Sequence, residues 1–163
     1  MLTFQRQALI RAKKMYSLDV LDKKIVNCLI EDARKSYRQI AREIKSSVVT
    51  VMNRVKKLEA KGVITKYTVG VGYASIGYDF QALAEIRVIR GEQASVGQWL
   101  RKHPNVSAVY DHTGLFDLTA ITKFKNRTEL NEFVKELQGL TSVERTETKL
   151  LLRTIKEHPV YVK

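Results

Sequence analysis

The chain has 163 residues with a net charge of +12, and its 44% apolar content is enough for one ordinary domain or two small ones with packed cores. No apolar run reaches the roughly 18 residues that a membrane-spanning helix needs, which argues against an integral membrane protein. The single cysteine, Cys28, excludes an internal disulfide, and we expect it to be a buried apolar residue of a protein in the reducing cytoplasm.

Positive charge is concentrated in the first half of the chain. Residues 1–79 contain sixteen Lys and Arg against seven Asp and Glu, a net charge of +9, whereas residues 80–163 contain thirteen against ten, a net charge of +3. Nucleic acid is the natural partner of such a surface, because binding to phosphates releases condensed counterions. Anionic membranes and acidic proteins also attract positive charge, so the asymmetry does not exclude them.

The first segment, residues 1–17, is a basic extension that contains no acidic residue. It is either an arm that contacts phosphate or an unstructured extension. Its apolar positions are too interrupted by charge for a secretory signal, so we do not expect a cleaved targeting segment. The next segment, residues 18–34, predicts a first helix, because Leu18, Leu21, Ile25 and Leu29 recur at helical spacing. Asp19 and Asp22 fall in its first turn, where the helix dipole favours negative charge.

Residues 36–62 predict two short amphipathic helices joined by a tight turn. The apolar stripe of the first is Tyr37, Ile40 and Ile44, and that of the second is Val48, Val51, Val55 and Leu58. Ser47 is placed to cap the second helix, whose polar face lacks acidic residues. Together they predict a helix-turn-helix whose second helix enters the major groove of DNA. A packed helical hairpin with no role in DNA binding is the alternative that these stripes leave open.

Candidate DNA contacts are assigned by side-chain type. Thr50 and Asn53 are candidates for base edges, and Val49 for a thymine methyl group. Cationic side chains are expected to contact phosphate groups of the DNA backbone. The full predicted set is Arg38, Ser47, Val49, Thr50, Asn53, Arg54, Lys57 and Lys66.

The DNA-binding domain is predicted to span residues 18–69 and to be followed by a linker, residues 70–79. Gly62 is a typical helix end, and residues 63–69 are rich in β-branched and aromatic residues, which favours a short strand or wing. Gly70 and Gly72 lack the rest of a dinucleotide-binding or P-loop pattern, so the linker is the better interpretation.

The second half, residues 80–163, predicts the order β-α-β-β-α-β of a ferredoxin-like domain. Strands are expected at residues 80–89, 106–111, 116–122 and 143–155. A helix marked by Val96, Trp99 and Leu100 ends at Pro104, and a second begins at Thr128 and stops at Gly139. The predicted fold class is therefore α+β, with a winged helix-turn-helix domain followed by a ferredoxin-like domain.

From Leu18 onward the chain resembles the Lrp/AsnC family, also called feast/famine regulators. The segment that begins Leu18, Asp19 and continues to Leu29 is similar to the family's opening motif, and residues 34–41 resemble its second helix. The recognition-helix pattern is matched by Ser47, Thr50, Val51, Arg54, Val55, Leu58, Gly62, Val63 and Ile64. Residues 113–117 resemble the family's Gly-x-x-Asp turn, and residues 145–148 its final-strand signature. The resemblance implies an amino-acid-responsive transcription regulator, not an enzyme, assembled from homodimers and often into octamers. Lys45 and Ser46 depart from it where many members have glycine.

Candidate effector contacts lie in the second half. A free amino acid needs donors for its carboxylate and acceptors for its ammonium group, and Gly114 allows a close approach to the turn backbone. The predicted set is Tyr110, His112, Gly114, Asp117, Thr146 and Thr148. The resemblance implies that such residues meet across subunits. Each also has an ordinary structural interpretation, Asp117 as a turn cap and the threonines as strand formers.

The sequence also bears on two other functional classes, a metalloprotein or enzyme and a protein-binding module. Asp111, His112 and Asp117 are close in sequence, but no metal-binding or nucleophile motif accompanies them, so neither a cofactor nor a metal is expected. The alternative to a DNA-binding regulator is an amino-acid-sensing or assembly module whose basic domain binds another protein.

Overall fold

A computed structural model of the chain describes residues 16–163, which form two compact units. The first unit extends to Gly70 and includes the last six residues, His158–Lys163, whereas the second is Val71–Glu157. The second domain was predicted to continue to Lys163, and in the structure its last six residues group with the first unit. The basic extension lies outside the described residues except for Tyr16 and Ser17. None of the described helices is long and apolar enough to cross a bilayer.

The first unit contains three helices, α1 (Val20–Glu31), α2 (Tyr37–Glu43) and α3 (Val48–Ala60). Their shared core consists of Ile25, Val26, Cys28, Ile40, Ala41, Val51, Val55 and Leu58. The predicted stripe of α3 is confirmed except for Val48, whose side chain is 42% exposed because it occupies the first turn. Cys28 is buried as expected, and its thiol donates a hydrogen bond to Glu43.

Local capping explains where each helix begins. Asp19 accepts a hydrogen bond from the backbone N–H of Asp22, and the Asp22 carboxylate accepts one from the Asp19 N–H, which together form a capping box. Ser36 and Gln39 repeat this arrangement at α2. Ser47 caps α3 as predicted, because its Oγ accepts from the N–H of Thr50 at 3.0 Å.

The helix-turn-helix turn and the end of α3 both use left-handed backbone. Lys45 has φ of 55°, the only positive φ of a non-glycine residue among residues 16–163. Gly62 has φ of 69° and follows α3 in a Schellman arrangement, with the N–H of Val63 bonded to the carbonyl of Leu58 at 2.9 Å. The predicted strand at residues 63–69 is not formed in the described part of the chain, where this segment has no strand partner.

The second unit is a four-stranded antiparallel sheet with two helices. Its elements are a 3₁₀ turn (Tyr73–Ile76), β1 (Phe80–Val88), α4 (Gln93–Lys102), β2 (Val106–Asp111), β3 (Leu118–Phe124), α5 (Arg127–Gln138) and β4 (Val143–Leu150). The strand order β2-β3-β1-β4 is that of the predicted ferredoxin-like domain. Four strand bounds differ from prediction, since β1 ends at Val88, β3 spans Leu118–Phe124 and β4 ends at Leu150.

One face of the sheet is covered by the helices. Ala82, Ala84, Ile86 and Val88, at alternate positions of β1, are buried there. They pack with Leu100 of α4 and with Leu130, Phe133 and Leu137 of α5.

Candidate DNA interface and effector region

The exposed face of α3 lies opposite its buried stripe. Val51, Val55 and Leu58 are completely buried, whereas Val49 is 62% exposed and Asn53 and Lys57 are also exposed. This orientation follows from the helical repeat, because positions two residues before and after Val51 lie about 160° away from it. The face therefore offers an apolar group, an amide and a cation to an external partner.

Ser47 and Thr50 are joined at the start of α3. Their hydroxyl oxygens are 2.7 Å apart, and Ser47 also accepts from the backbone of Thr50. Both hydroxyls are thus already oriented by the cap. Ser47 is exposed and Thr50 is half-buried, so the pair lies at the edge of the exposed face.

Arg54 is paired within its own domain. Its Nη1 lies 3.1 Å from Oδ1 of Asp22 and also forms an ion pair with Asp19. Asp22 is only 1% exposed, so Arg54 neutralises a buried carboxylate of its own domain. The Asp19 carboxylate in turn has its pKa lowered by the backbone N–H of Asp22 and by Arg54. The assignment of Arg54 to phosphate stays a prediction, and in the structure its guanidinium ties α3 to the start of α1.

The remaining predicted cations occupy the surface. Arg38 on α2, Lys57 on α3 and Lys66 after it are exposed. The Nζ of Lys57 lies over the ring of Tyr16 at 5.3 Å from its centroid, and the hydroxyl of Tyr16 donates to Asp22 at 3.0 Å.

Sequence reasoning missed Lys56. Its side chain is exposed, one helical turn from Asn53 and two from Val49, and therefore near the centre of the outward face of α3. The signal was present in the helical spacing, since Lys56 follows Asn53 by three residues.

The turn before β3 is built around two predicted effector residues. Asp117 accepts a hydrogen bond from the N–H of Val88 at 2.9 Å, at the point where the pairing of β1 with β4 shifts register. The N–H of His112 donates to the carbonyl of Asp117, and its Nε2 lies 2.8 Å from the hydroxyl of Thr119. Gly114 has φ of 133°, which strongly favours glycine. Asp117 therefore has a structural role at this turn.

The other predicted effector residues are not brought together with this turn within one chain. Thr146 and Thr148 pair with Ile86 and Ala84 and share the helix-covered face, where Thr146 accepts a hydrogen bond from Gln138 at 3.0 Å. Tyr110 pairs with Thr119 on the opposite face and is 58% exposed. In addition, Thr146 and the end of β2 are separated by three strand spacings, about 14 Å.

No metal centre is evident in the described residues. Among residues 16–163, no three His, Cys, Asp or Glu side chains cluster in a way that would hold an ion. His112 is engaged with Thr113 and Thr119.

Two family models match the chain, one for each unit. Residues 18–65 match a winged helix-turn-helix DNA-binding model, and residues 81–161 match the Lrp/AsnC ligand-binding domain. The two matches follow the same order as the structural units and together cover most of the sequence.

The similarity to curated relatives extends over nearly the whole length of those proteins. An uncharacterised HTH-type transcriptional regulator of Pyrococcus horikoshii is 42% identical over 140 residues, which are 86% of this chain and 95% of that protein. The HTH-type transcriptional regulator FL11 of the same organism is 34% identical over 86% of this chain and 93% of its own length.

Solved structures share the fold. The E. coli AsnC structure superposes with a TM-score of 0.83 at 23% identity, covering 90% of this chain and all of that one. A transcriptional regulator of Neisseria meningitidis in complex with L-Met also gives a TM-score of 0.83 at 23% identity, with 90% and 97% of the two chains covered. At this identity the likeness establishes architecture alone.

Proposed function

Because the chain belongs to the Lrp/AsnC family of transcriptional regulators, we propose that it binds specific DNA sequences through α3 and that a free amino acid modulates its DNA binding or assembly. The winged helix-turn-helix match and the regulator relatives identify the class of protein. The proposal adds which side chains read the DNA and what kind of molecule acts as the effector.

One observation supports DNA reading most directly, namely the division of α3 into a buried and an exposed face. A helix whose outward side carries Val49, Asn53, Lys56 and Lys57 and no acidic residue fits the major groove. Asn53 has the amide geometry that pairs with adenine, and Val49 offers an apolar contact for thymine. Arg38, Lys57 and Lys66 are left for phosphate, while Arg54 acts through the position of α3.

The effector proposal has a different support. The chain carries the family's ligand-binding domain, and a regulator with the same fold from Neisseria meningitidis was solved with L-Met. The proposed contacts remain Tyr110, His112, Gly114, Asp117, Thr146 and Thr148. Within one chain, Thr146 and Thr148 lie far from the turn that contains His112 and Gly114. A pocket lined by both the threonines and the turn therefore needs at least two copies of the chain. We therefore propose a homodimer or a higher assembly as the sensing form.

The DNA-reading proposal is tested by selecting bound fragments from random DNA with the full chain and its variants. Asn53→Ala should relax the preference at one base position by roughly 1–3 kcal/mol, because a bidentate base contact is lost. Lys57→Ala should weaken binding to all sequences alike and reduce the slope of log affinity against log salt by about one.

Lys135→Ala provides the matched control, because Lys135 is an exposed helical lysine of the second unit. Its affinity and salt slope should equal those of the unmodified chain. An unchanged selected sequence for both Asn53→Ala and Thr50→Ala would show that these residues do not read bases. A flat salt dependence of the unmodified chain would favour a protein-binding module instead.

Calorimetric titration with each of the twenty amino acids tests the effector. A binding amino acid should release or absorb heat, and Thr148→Val should weaken that binding because valine keeps the shape but removes the hydroxyl. Absence of heat with all twenty would contradict the amino-acid proposal and leave the DNA proposal intact.

A further inference from the structure

The last residues of the chain form part of the wall of a groove on the first unit. The groove, of about 440 Å³, lies between α1 and the segment that follows α3, and it is mainly apolar. Its lining includes Leu29 and Ile30 of α1, Ile64 and Tyr67 of the following segment, and Pro159 and Val162 of the C-terminus. The side chain of Val162 packs against the helical core of this unit.

A polar clamp accompanies this packing. The Asn27 side chain of α1 donates from Nδ2 to the carbonyl of Val162 at 3.0 Å, and its Oδ1 accepts from the Val162 N–H at 2.8 Å. One amide thereby satisfies both backbone groups of a single residue, as a neighbouring strand would. Such a two-way contact fixes the position of the docked segment along the groove, which apolar packing alone does not.

Val162 is the one residue of the docked segment that is not exposed. Val162 is half-buried, whereas Val160 is 85% exposed, and the two residues are of the same type and only two positions apart. The groove therefore distinguishes Val162 from Val160, and the pair offers a matched comparison.

We propose that docking of the C-terminal segment, His158–Lys163, onto α1 beside this groove orders the segment that leaves the recognition helix. Residues 63–68 line the groove but have no strand partner among the described residues. The start of this segment is held by backbone bonds from Val63 and Ile64 to Leu58, and Tyr67 donates a hydrogen bond to Glu59 of α3 at 2.8 Å. The tail lines the same groove as the segment. Because β4 leads through residues 151–157 into the tail, the chain passes between the two units a second time, after the crossing at Gly70.

This docking has a consequence for DNA binding, which rests on the proposed function. Lys66 is a proposed phosphate contact and belongs to the segment that the tail orders. When the tail is released, DNA binding must itself order that segment, which costs conformational entropy. Release of the tail should therefore weaken DNA binding without changing the sequence that is preferred.

Amide hydrogen exchange of the full chain tests the docking without DNA. Val162→Asp and Asn27→Ala should each accelerate exchange of residues 63–68 and of the Val162 amide by tenfold or more, whereas Val160→Asp should leave both unchanged. Exchange in α3 and in the sheet of the second unit should stay as in the unmodified chain, which shows that the variants are folded. Equal exchange for Val162→Asp and Val160→Asp would overturn the docking. If Val162→Asp also accelerated exchange in α3, the exchange of residues 63–68 in Asn27→Ala would decide whether the tail docks.

Affinity for a selected DNA fragment tests the consequence. Val162→Asp should bind about threefold to tenfold more weakly than Val160→Asp with the same sequence preference. Equal affinities would overturn the link between the tail and DNA binding. An unmodified chain that binds no DNA would contradict the proposed function instead, while the exchange experiment would still decide the docking.

Discussion

At the scale of single residues, Arg54 shows how a cation at a recognition helix can serve the fold. Its partner Asp22 is almost completely buried, and breaking such a pair leaves an unpaired charge in the interior. Arg54→Ala should therefore lower the free energy of unfolding by about 2 kcal/mol, somewhat less than for a fully buried pair because the Arg54 side chain is 31% exposed. Chemical denaturation of the full chain measures the change.

The nearby Lys56 provides the comparison, because it is exposed on the same helix. Lys56→Ala should change stability by no more than about 0.5 kcal/mol. The double variant Asp22→Asn, Arg54→Ala should be more stable than the sum of the single changes implies, since the unpaired charge disappears. Additive losses would show that the pair contributes no coupling energy.

His103 carries a pH dependence of the second unit. Burial lowers its pKa, an effect that Glu136 at 3.9 Å partly opposes, and its Nδ1 accepts the N–H of Asn105 at 3.2 Å. The unfolded chain then binds more protons than the folded chain just below the ordinary pKa of about 6.5. The contribution of His103 to stability is complete above that pH and is lost as the pH falls through the lowered native pKa.

Melting temperatures between pH 7.5 and pH 5 test this dependence. His103→Phe keeps the ring contacts with Trp99 and Phe133 but has no proton to gain, so its decline should be shallower. Glu136→Gln removes the opposing charge and should make the decline steeper. Parallel curves for all three proteins would contradict the assignment to His103.

At the scale of elements, the helix-turn-helix turn depends on a strained residue. Lys45 adopts φ of 55°, a conformation that costs side chains other than glycine about 1 kcal/mol. We expect Lys45→Gly to be more stable than Lys45→Ala by about 1 kcal/mol, because only glycine removes the strain. At Lys56, exposed in the middle of α3, the order should reverse by a similar amount, since alanine is the better helix former. Thermal denaturation of the four variants gives both differences, and the same order at both positions would contradict the strained turn.

The sequence predicted which segments form helices and which form strands, but it did not predict several strand ends. A strand ends where its neighbouring strand no longer offers backbone groups to pair with. β4 stops at Leu150 since β1, its partner, begins at Phe80, and Leu151 makes the last backbone bond to Gln81. Residues 63–69 have strand-forming side chains but no strand to pair with in the described first unit. The start of β3 was misplaced because Asp117 is used in the preceding turn.

For the candidate site, too, the sequence predicted local features but not contacts between distant residues. Helical spacing identified the outward face of α3, but it gave no sign that Arg54 reaches Asp22, thirty-two positions earlier and on another helix. In the same way, residue types suggested the effector set, while the sheet register places Tyr110 and Thr146 on opposite faces. The spacing of residues in one sequence does not reveal contacts between residues that are distant in that sequence.

At the scale of the whole molecule, the proposed pairing of two recognition helices sets the geometry of the DNA site. A homodimer would read two half-sites about one helical turn, roughly 34 Å, apart on one side of the duplex. Inserting 5 base pairs between the half-sites rotates one of them by about half a turn, so a fixed pair of helices can reach only one. Affinity should then fall by tenfold or more, because the second contact no longer benefits from the effective concentration that the dimer provides.

An insertion of 10 base pairs distinguishes the effect of rotating one half-site around the duplex from the effect of moving it farther away. It returns both half-sites to the same side of the duplex but increases their distance by a full turn. A flexible pair of DNA-binding domains should recover most of the affinity with 10 base pairs, whereas a rigid pair should not recover it. Anisotropy titrations of the three fragments at constant salt measure these affinities. Equal affinity for all three would show that each DNA-binding domain acts alone, and the dimer would then have no part in selecting the operator.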